Sequence, residues 1–228
     1  MKREFTPQAR NLAMAIFNAG AVKCDSYYTL KLHEEKPDAP KSPIFFNLRT
    51  PENPKPGPLT PEIVREIAEL FYAHMQAEGI CYDFIAGVPN AADPFVDALC
   101  DIIPGGWEKR LYLTKKTHED GKRSIATLTD ESVDKIEPGK IVLLFDDLVT
   151  RATSKLEAIT VLEIHGLQVY DVIVFLDREQ GGREELEEAE YKLHSIFPVS
   201  DLLALYHEEQ LITDAKYFEI ISYLEQNS

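Results

Sequence analysis

The sequence predicts an α/β fold: a parallel central sheet flanked by helices, with a small N-terminal hood. Three observations carry this. Residues 141–145 (Ile-Val-Leu-Leu-Phe) and 172–176 (Val-Ile-Val-Phe-Leu) are apolar at every position, so both faces of these strands are covered. These runs alternate with segments of helical period, the pattern of parallel strands joined by crossover helices. Prolines crowd the stretch from Pro37 to Pro58, which bars a long helix there and sets an irregular layer apart from the alternating core.

The elements follow in chain order. A helix is expected over residues 6–19: Thr6 caps it, Pro7 suits its first turn, Gly20 closes it, and Ala9, Leu12, Ala13, Ile16 and Phe17 form its apolar stripe. The hood covers about residues 20–58, with strand-like pieces at 27–32 and 44–48. Thr60-Pro61-Glu62 opens a second helix that ends at Gly79, with Ile63, Ile67, Leu70, Phe71 and Met75 at helical spacing. A core over about 59–200 then reads as strand 82–88, helix 94–102, strands 110–114 and 140–145, and helix 154–165 closed by Gly166. Strand 171–177, a short acidic helix at 184–189 and strand 191–197 complete it. Two helices opened by Ser200 and Thr213 occupy about 200–226, and a single domain over 1–228 is expected.

Composition narrows the function. A chain of 228 residues holds one good core plus a small extra element, not two full-size domains. Asp and Glu number 39 against 24 Lys and Arg, a net charge of −15 that repels phosphate backbones and argues against nucleic-acid binding. The charge is uneven: residues 1–58 carry nine basic and six acidic side chains, residues 183–228 three and eleven. Residues 109–123 form a basic island of six against two, suited to an anionic ligand or simply solvated. No apolar run approaches the ~20 residues a membrane helix needs, and the opening Met1-Lys2-Arg3-Glu4-Phe5 does not read as a signal peptide. Cys24, Cys81 and Cys100 are an odd count without CxxC spacing, which argues against a disulfide framework or zinc site and fits a reducing, cytoplasmic setting.

In an open parallel sheet, ligands sit beyond the carboxyl ends of the strands. The run at 141–145 is followed by Asp146-Asp147-Leu148-Val149-Thr150-Arg151-Ala152-Thr153-Ser154-Lys155. Two adjacent carboxylates repel each other and need donors or a cation nearby. The small and hydroxylic residues after them lead into a helix, so backbone N–H groups, hydroxyls and a helix N-terminus converge on one point. The pieces suit a phosphorylated sugar: carboxylates for ribose hydroxyls, the turn for a 5′-phosphate. The plain alternative is a strand–turn–helix with a capping acid.

Residues 140–155 resemble the phosphoribosyl-pyrophosphate (PRPP) motif of type I phosphoribosyltransferases, which implies that family's fold for the chain. Three further blocks, in family order, resemble the orotate phosphoribosyltransferase branch. They are the hood segments Leu30-Lys31 and Ser42-Pro43-Ile44-Phe45-Phe46-Asn47-Leu48-Arg49, the loop Gly87-Val88-Pro89, and Phe175-Leu176-Asp177-Arg178-Glu179-Gln180-Gly181-Gly182. The spacer at 32–41 is longer than usual in that branch.

The resemblance implies transfer of the phosphoribosyl group from PRPP to orotate, giving orotidine 5′-monophosphate and pyrophosphate in pyrimidine nucleotide synthesis. It implies that Asp146 and Asp147 hold the ribose hydroxyls and favour a cationic ribose ring. Leu148, Val149, Thr150, Arg151, Ala152, Thr153 and Ser154 would form the rest of the PRPP site with Lys115 and Lys116. Lys116 and Lys122 are the candidate catalytic cations of a loop at 115–123 that closes over pyrophosphate and, in a homodimer, is shared between subunits. Orotate would meet Lys31, Phe45, Phe46, Thr150 and Arg178, whose guanidinium fork suits a flat anion. Magnesium is the expected cofactor, held mainly by PRPP and water, with no metal site built by the protein.

The sequence also departs from that family. His118-Glu119-Asp120-Gly121 stands where Lys-Asp-(His or Tyr)-Gly is usual, so Lys116 or Lys122 must substitute, or the loop registers differently, or activity is weak. Asn90 and Ala91 replace the Tyr-Lys or Tyr-Thr of some relatives. Gly is common where Ala152 stands, and Arg151 either contacts phosphate or faces solvent. Two rival functions are transfer to another base and PRPP binding without turnover.

Overall fold

The computed structural model describes residues 4–30, 38–119 and 123–227. In chain order the described elements are α1 (Pro7–Asn18), β1 (Val22–Lys23), β2 (Phe45–Phe46), α2 (Pro61–Glu78), β3 (Phe84–Gly87), α3 (Asp93–Cys100), α4 (Gly106–Lys109) and β4 (Arg110–Leu111). They continue with β5 (Leu113–Thr117), β6 (Arg123–Leu128), α5 (Asp130–Val133), β7 (Ile141–Val149), α6 (Thr153–Ile164), β8 (Gln168–Asp177), α7 (Gly182–Glu188), β9 (Lys192–Pro198), α8 (Val199–Glu208) and α9 (Asp214–Gln226). The chain forms two compact units, one of residues 1–63 with 198–228 and one of residues 64–197.

In the first unit, Thr6 caps α1 by accepting the N–H of Ala9 at 3.2 Å, and Leu12, Ala13 and Ile16 are buried along one face. The Tyr206 hydroxyl of α8 donates to the carbonyl of Ala13 at 3.0 Å, and Arg10 pairs with Glu208 and Glu209. The hood contributes a short antiparallel ladder in which Val22 faces Phe46. The strand expected at 27–32 reduces to a single bridge between Tyr28 and Ser42, and residues 31 and 32 lie outside the described residues.

The second unit holds a five-stranded sheet in the order β4-β3-β7-β8-β9. β3 runs parallel to both β4 and β7, and β7 runs parallel to β8. One face packs Leu144, Val172 and Val174 with Ala158, Ile159 and Leu162 of α6. Side chains alternate along a strand, so Phe145 faces the other way, with its ring 5.2 Å from that of Phe71 on α2. β7 continues four residues beyond the expected Phe145, because its pairing with β8 carries on through Asp146 opposite Val174 to Val149 opposite Asp177.

The strand expected at 110–114 divides in two. Arg110 and Leu111 stay in the sheet, while β5 leaves it to pair antiparallel with β6 as a separate hairpin. The switch is held at Tyr112, whose N–H donates to Ser132 Oγ at 2.8 Å and whose carbonyl accepts the N–H of Thr129 at 2.9 Å. Arg110 is fully buried and bonds Asp93 at 2.6 Å and Asp97 at 2.8 Å, with its guanidinium 4.0 Å from the centre of the Tyr112 ring. The hairpin leans on α6: Ile125 and Leu128 join its apolar cluster, and the Ile125 N–H donates to Glu157 at 3.2 Å.

Candidate active site

The carboxyl ends of β7 and β8 build the site. Asp146 and Asp147 are both buried at the end of β7. Each turns one oxygen back on the main chain, Asp146 Oδ1 accepting the Asp147 N–H and Asp147 Oδ1 the Leu148 N–H, both at 2.9 Å. A charge so enclosed needs a partner. Lys155, in the first turn of α6, supplies it: its buried ammonium lies 2.6 Å from Asp146 Oδ2 and donates to the carbonyl of Leu148 at 2.6 Å. Nothing in the sequence marks this lysine beyond its place at the end of the motif, since a helical Lys ordinarily reads as solvated.

The turn after β7 is wound as the motif suggests. Val149 and Ala152 are buried, Thr150 and Ser154 half-buried, and Arg151 and Thr153 exposed. Ala152 has a φ of −78°, so its β-carbon brings no strain where Gly is common. Arg151 is exposed and is held by a neighbouring acid. Its guanidinium pairs with Glu185 of α7 at 2.6 Å, and the other Glu185 oxygen accepts the Ala152 N–H at 2.6 Å.

The loop after β8 presses on this turn. The Arg178 N–H donates to the Val149 carbonyl at 2.9 Å. A β-carbon on Gly182 would stand 2.5 Å from Val149 Cγ2 and 3.0 Å from the Thr150 carbonyl oxygen, so only glycine permits this approach. Asp177 is buried; one oxygen accepts the Glu179 N–H at 2.8 Å, and the other meets Arg183 at 3.0 Å. Arg183 also donates to the Leu193 carbonyl at 2.8 Å and to Ser195 Oγ at 3.2 Å, tying the loop to β9. Arg178 is buried at this strand end.

On the hairpin, the ammonium of Lys115 feels the acid pair. The residue is exposed as a whole, yet partial dehydration of the ammonium holds its pKa below the usual lysine value, while attraction from Asp146 and then Asp147 and Asp93 acts against that shift and Arg123 reinforces it. Strand alternation turns the exposed Lys116 to the opposite face. His118 Nε2 shares a hydrogen bond of 2.7 Å with Ser124 Oγ across the hairpin. Lys31 and Lys122 lie outside the described residues. Phe45 and Phe46 belong to the first unit, where Phe46 is buried and Phe45 is half-buried, its ring stacked 5.5 Å from that of Tyr28. The loop after β3, expected on the pyrophosphate side, contains a cis peptide between Pro89 and Asn90.

The phosphoribosyl transferase domain family matches residues 59–197. The chain is 32% identical over 142 residues to the orotate phosphoribosyltransferase of Pyrococcus abyssi, covering 62% of this chain and 73% of that protein. It is 27% identical over 193 residues to the uridine 5′-monophosphate synthase of Bos taurus, covering 82% of this chain and 36% of that protein. In fold it resembles the UMP synthase of Leishmania donovani with a TM-score of 0.73 and 24% identity, covering 96% of this chain and 42% of that one. The chain thus spans well under half the length of these synthases. The chain belongs to the phosphoribosyl transferase family. Within it, the relative from Pyrococcus groups the chain with the orotate phosphoribosyltransferases.

Proposed function

We propose that the chain transfers the phosphoribosyl group of PRPP to orotate, giving orotidine 5′-monophosphate and pyrophosphate. The observation that carries this is the juxtaposition of two strand ends: Asp146 and Asp147 before a phosphate-type turn at β7, and the buried Arg178 at β8, joined through the Val149 carbonyl. The transferred ribose develops positive charge at C1 as pyrophosphate leaves. Asp147 and Asp146 accept hydrogen bonds from the ribose hydroxyls, and their field favours that charge. Residues 150–154 grip the 5′-phosphate at the head of α6. Lys115 offers the cation on the pyrophosphate side, and Arg178 orients the flat orotate anion through its planar fork.

Magnesium fits this donor set. The two carboxylates are hard oxygen donors and would help hold an ion carried mainly by PRPP and water. When bound, it would supply counter-charge to the leaving pyrophosphate. A homodimer sharing the 115–123 loop and a cytoplasmic setting belong to the same reading; they rest on the resemblance, and no helix among the described residues is long and apolar enough to cross a membrane.

The test is to incubate the chain with PRPP, magnesium and orotate and follow orotate absorbance. Turnover is expected, and Arg178→Ala should raise the orotate KM while the PRPP KM holds. Turnover with a purine but not orotate would move the chain to another base. Tight PRPP binding with no turnover on any base would make it a binding protein.

A further inference from the structure

The turn assigned to the 5′-phosphate already holds an anion. Helix α6 is preceded by Ala152 at its cap position, whose methyl group cannot accept a hydrogen bond from the N–H groups of the first turn. Glu185 reaches over from α7 instead: Oε2 accepts the Ala152 N–H at 2.6 Å and Oε1 pairs with Arg151 Nη2 at 2.6 Å. Arg151 is drawn across the neighbouring loop, with Nη1 3.4 Å from the Gln180 carbonyl oxygen and close against Gly181, where a β-carbon would meet it at 2.5 Å. A backbone N–H at a helix start plus a guanidinium is the donor set a phosphoryl group seeks. A carboxylate and a phosphate cannot share it, because two anions in contact repel in a partly dehydrated pocket.

We propose that Glu185 is an internal occupant of the phosphate turn, which the donor's 5′-phosphate displaces to inherit Arg151 and the Ala152 N–H. This rests on reading residues 150–154 as the phosphate turn. Glu185 then sets donor affinity from inside the protein. Arg151, which reads as either a phosphate contact or a solvated side chain, is held by Glu185 until the phosphate arrives.

Ribose 5-phosphate is the probe, titrated into the full chain by calorimetry without base or pyrophosphate, so that turnover plays no part. Glu185→Ala should bind it about tenfold more tightly than the parent chain, the effect of one charge-assisted contact no longer contested. Glu185→Gln keeps the shape and removes the charge, and should tighten binding by a smaller factor in the same direction. Arg151→Ala should weaken it. A gain in affinity cannot come from a damaged fold. If the parent chain binds ribose 5-phosphate and both Glu185 variants bind it no tighter, the proposal is overturned while the phosphate turn stands. If none of the chains binds it, the phosphate turn itself is misassigned, and the proposal falls with it.

Discussion

The ends of β7 and β8 pose the same problem and answer it differently. Each of these neighbouring strands carries a buried aspartate in its carboxyl-terminal part, Asp146 or Asp177, and each receives a cation from the helix that follows, Lys155 or Arg183. Lys155 and Asp146 are almost wholly enclosed, at 4% and 5% side-chain exposure, whereas Arg183 is 34% exposed. Lysine acts there as a compact charge, neutralising one carboxylate and binding one carbonyl. Arginine spreads its fork over Asp177, the Leu193 carbonyl and Ser195, so it braces a loop as much as it balances a charge. Acids at a strand end thus require counter-charges from their own chain before any ligand arrives, and the choice of cation decides whether the strand end is neutralised or stapled.

That contrast can be broken from the largest effect downward. Lys155→Met strands a buried carboxylate and should cost about 3–5 kcal/mol of stability in urea unfolding. Adding Asp146→Asn to it should restore much of the loss; equal stability of the single and double variants would show that the pair carries no charge balance. Arg183→Ala should cost less, about 2–3 kcal/mol, because water can reach the vacated site. It should also raise the orotate KM more than the PRPP KM, and a shift confined to PRPP would detach Arg183 from the loop after β8.

Cys100 is a control outside both strand ends, where burial outweighs the pull of the nearby Arg110. Dehydration pushes its thiol from 9.0 up to about 11. The folded state therefore holds this proton more tightly than the unfolded chain. The resulting stability is complete below pH 9 and is lost as pH climbs through 11, at most about 3 kcal/mol. Cys100→Ala should flatten that alkaline slope in unfolding curves measured at several pH values.

The finest effect is a displacement along the pH axis. Because the Lys115 pKa is lowered, its charge should vanish at a lower pH than that of a free lysine, and kcat/KM for PRPP should fall with it. Lys115→Arg stays charged and should carry the alkaline limb to higher pH. An unmoved limb would remove Lys115 from the site.

The strand–turn–helix of β7 and α6 is legible in the sequence because a fully apolar run, a polar strand end and a closing glycine coincide. The end of β7 is not, since Asp146 and Asp147 look like the start of a loop and only their pairing with β8 keeps them in the sheet. The hairpin is half hidden for a related reason. β6 reads Arg-Ser-Ile-Ala-Thr-Leu and buries only Ile125 and Leu128, too few to stand out as a strand. Lys155, Arg183 and Glu185 are charged residues on helices, and one-dimensional patterning assigns such side chains to water. Only the folded chain reveals which of them turn inward.

The clamp on Tyr112 makes the hairpin a cantilever, fixed at its root by Thr129 and Ser132 through both backbone groups of one residue. Deflection of such a beam grows with distance from its anchorage. Lys115 sits three residues out, opposite Ile125 whose N–H is tied to Glu157 of α6, whereas His118 lies farther along the arm and is bonded only across it, to Ser124. The arm therefore carries its charge beside an anchorage and its imidazole beyond it, and shortening it by a rung would reposition the second while leaving the first where α6 holds it.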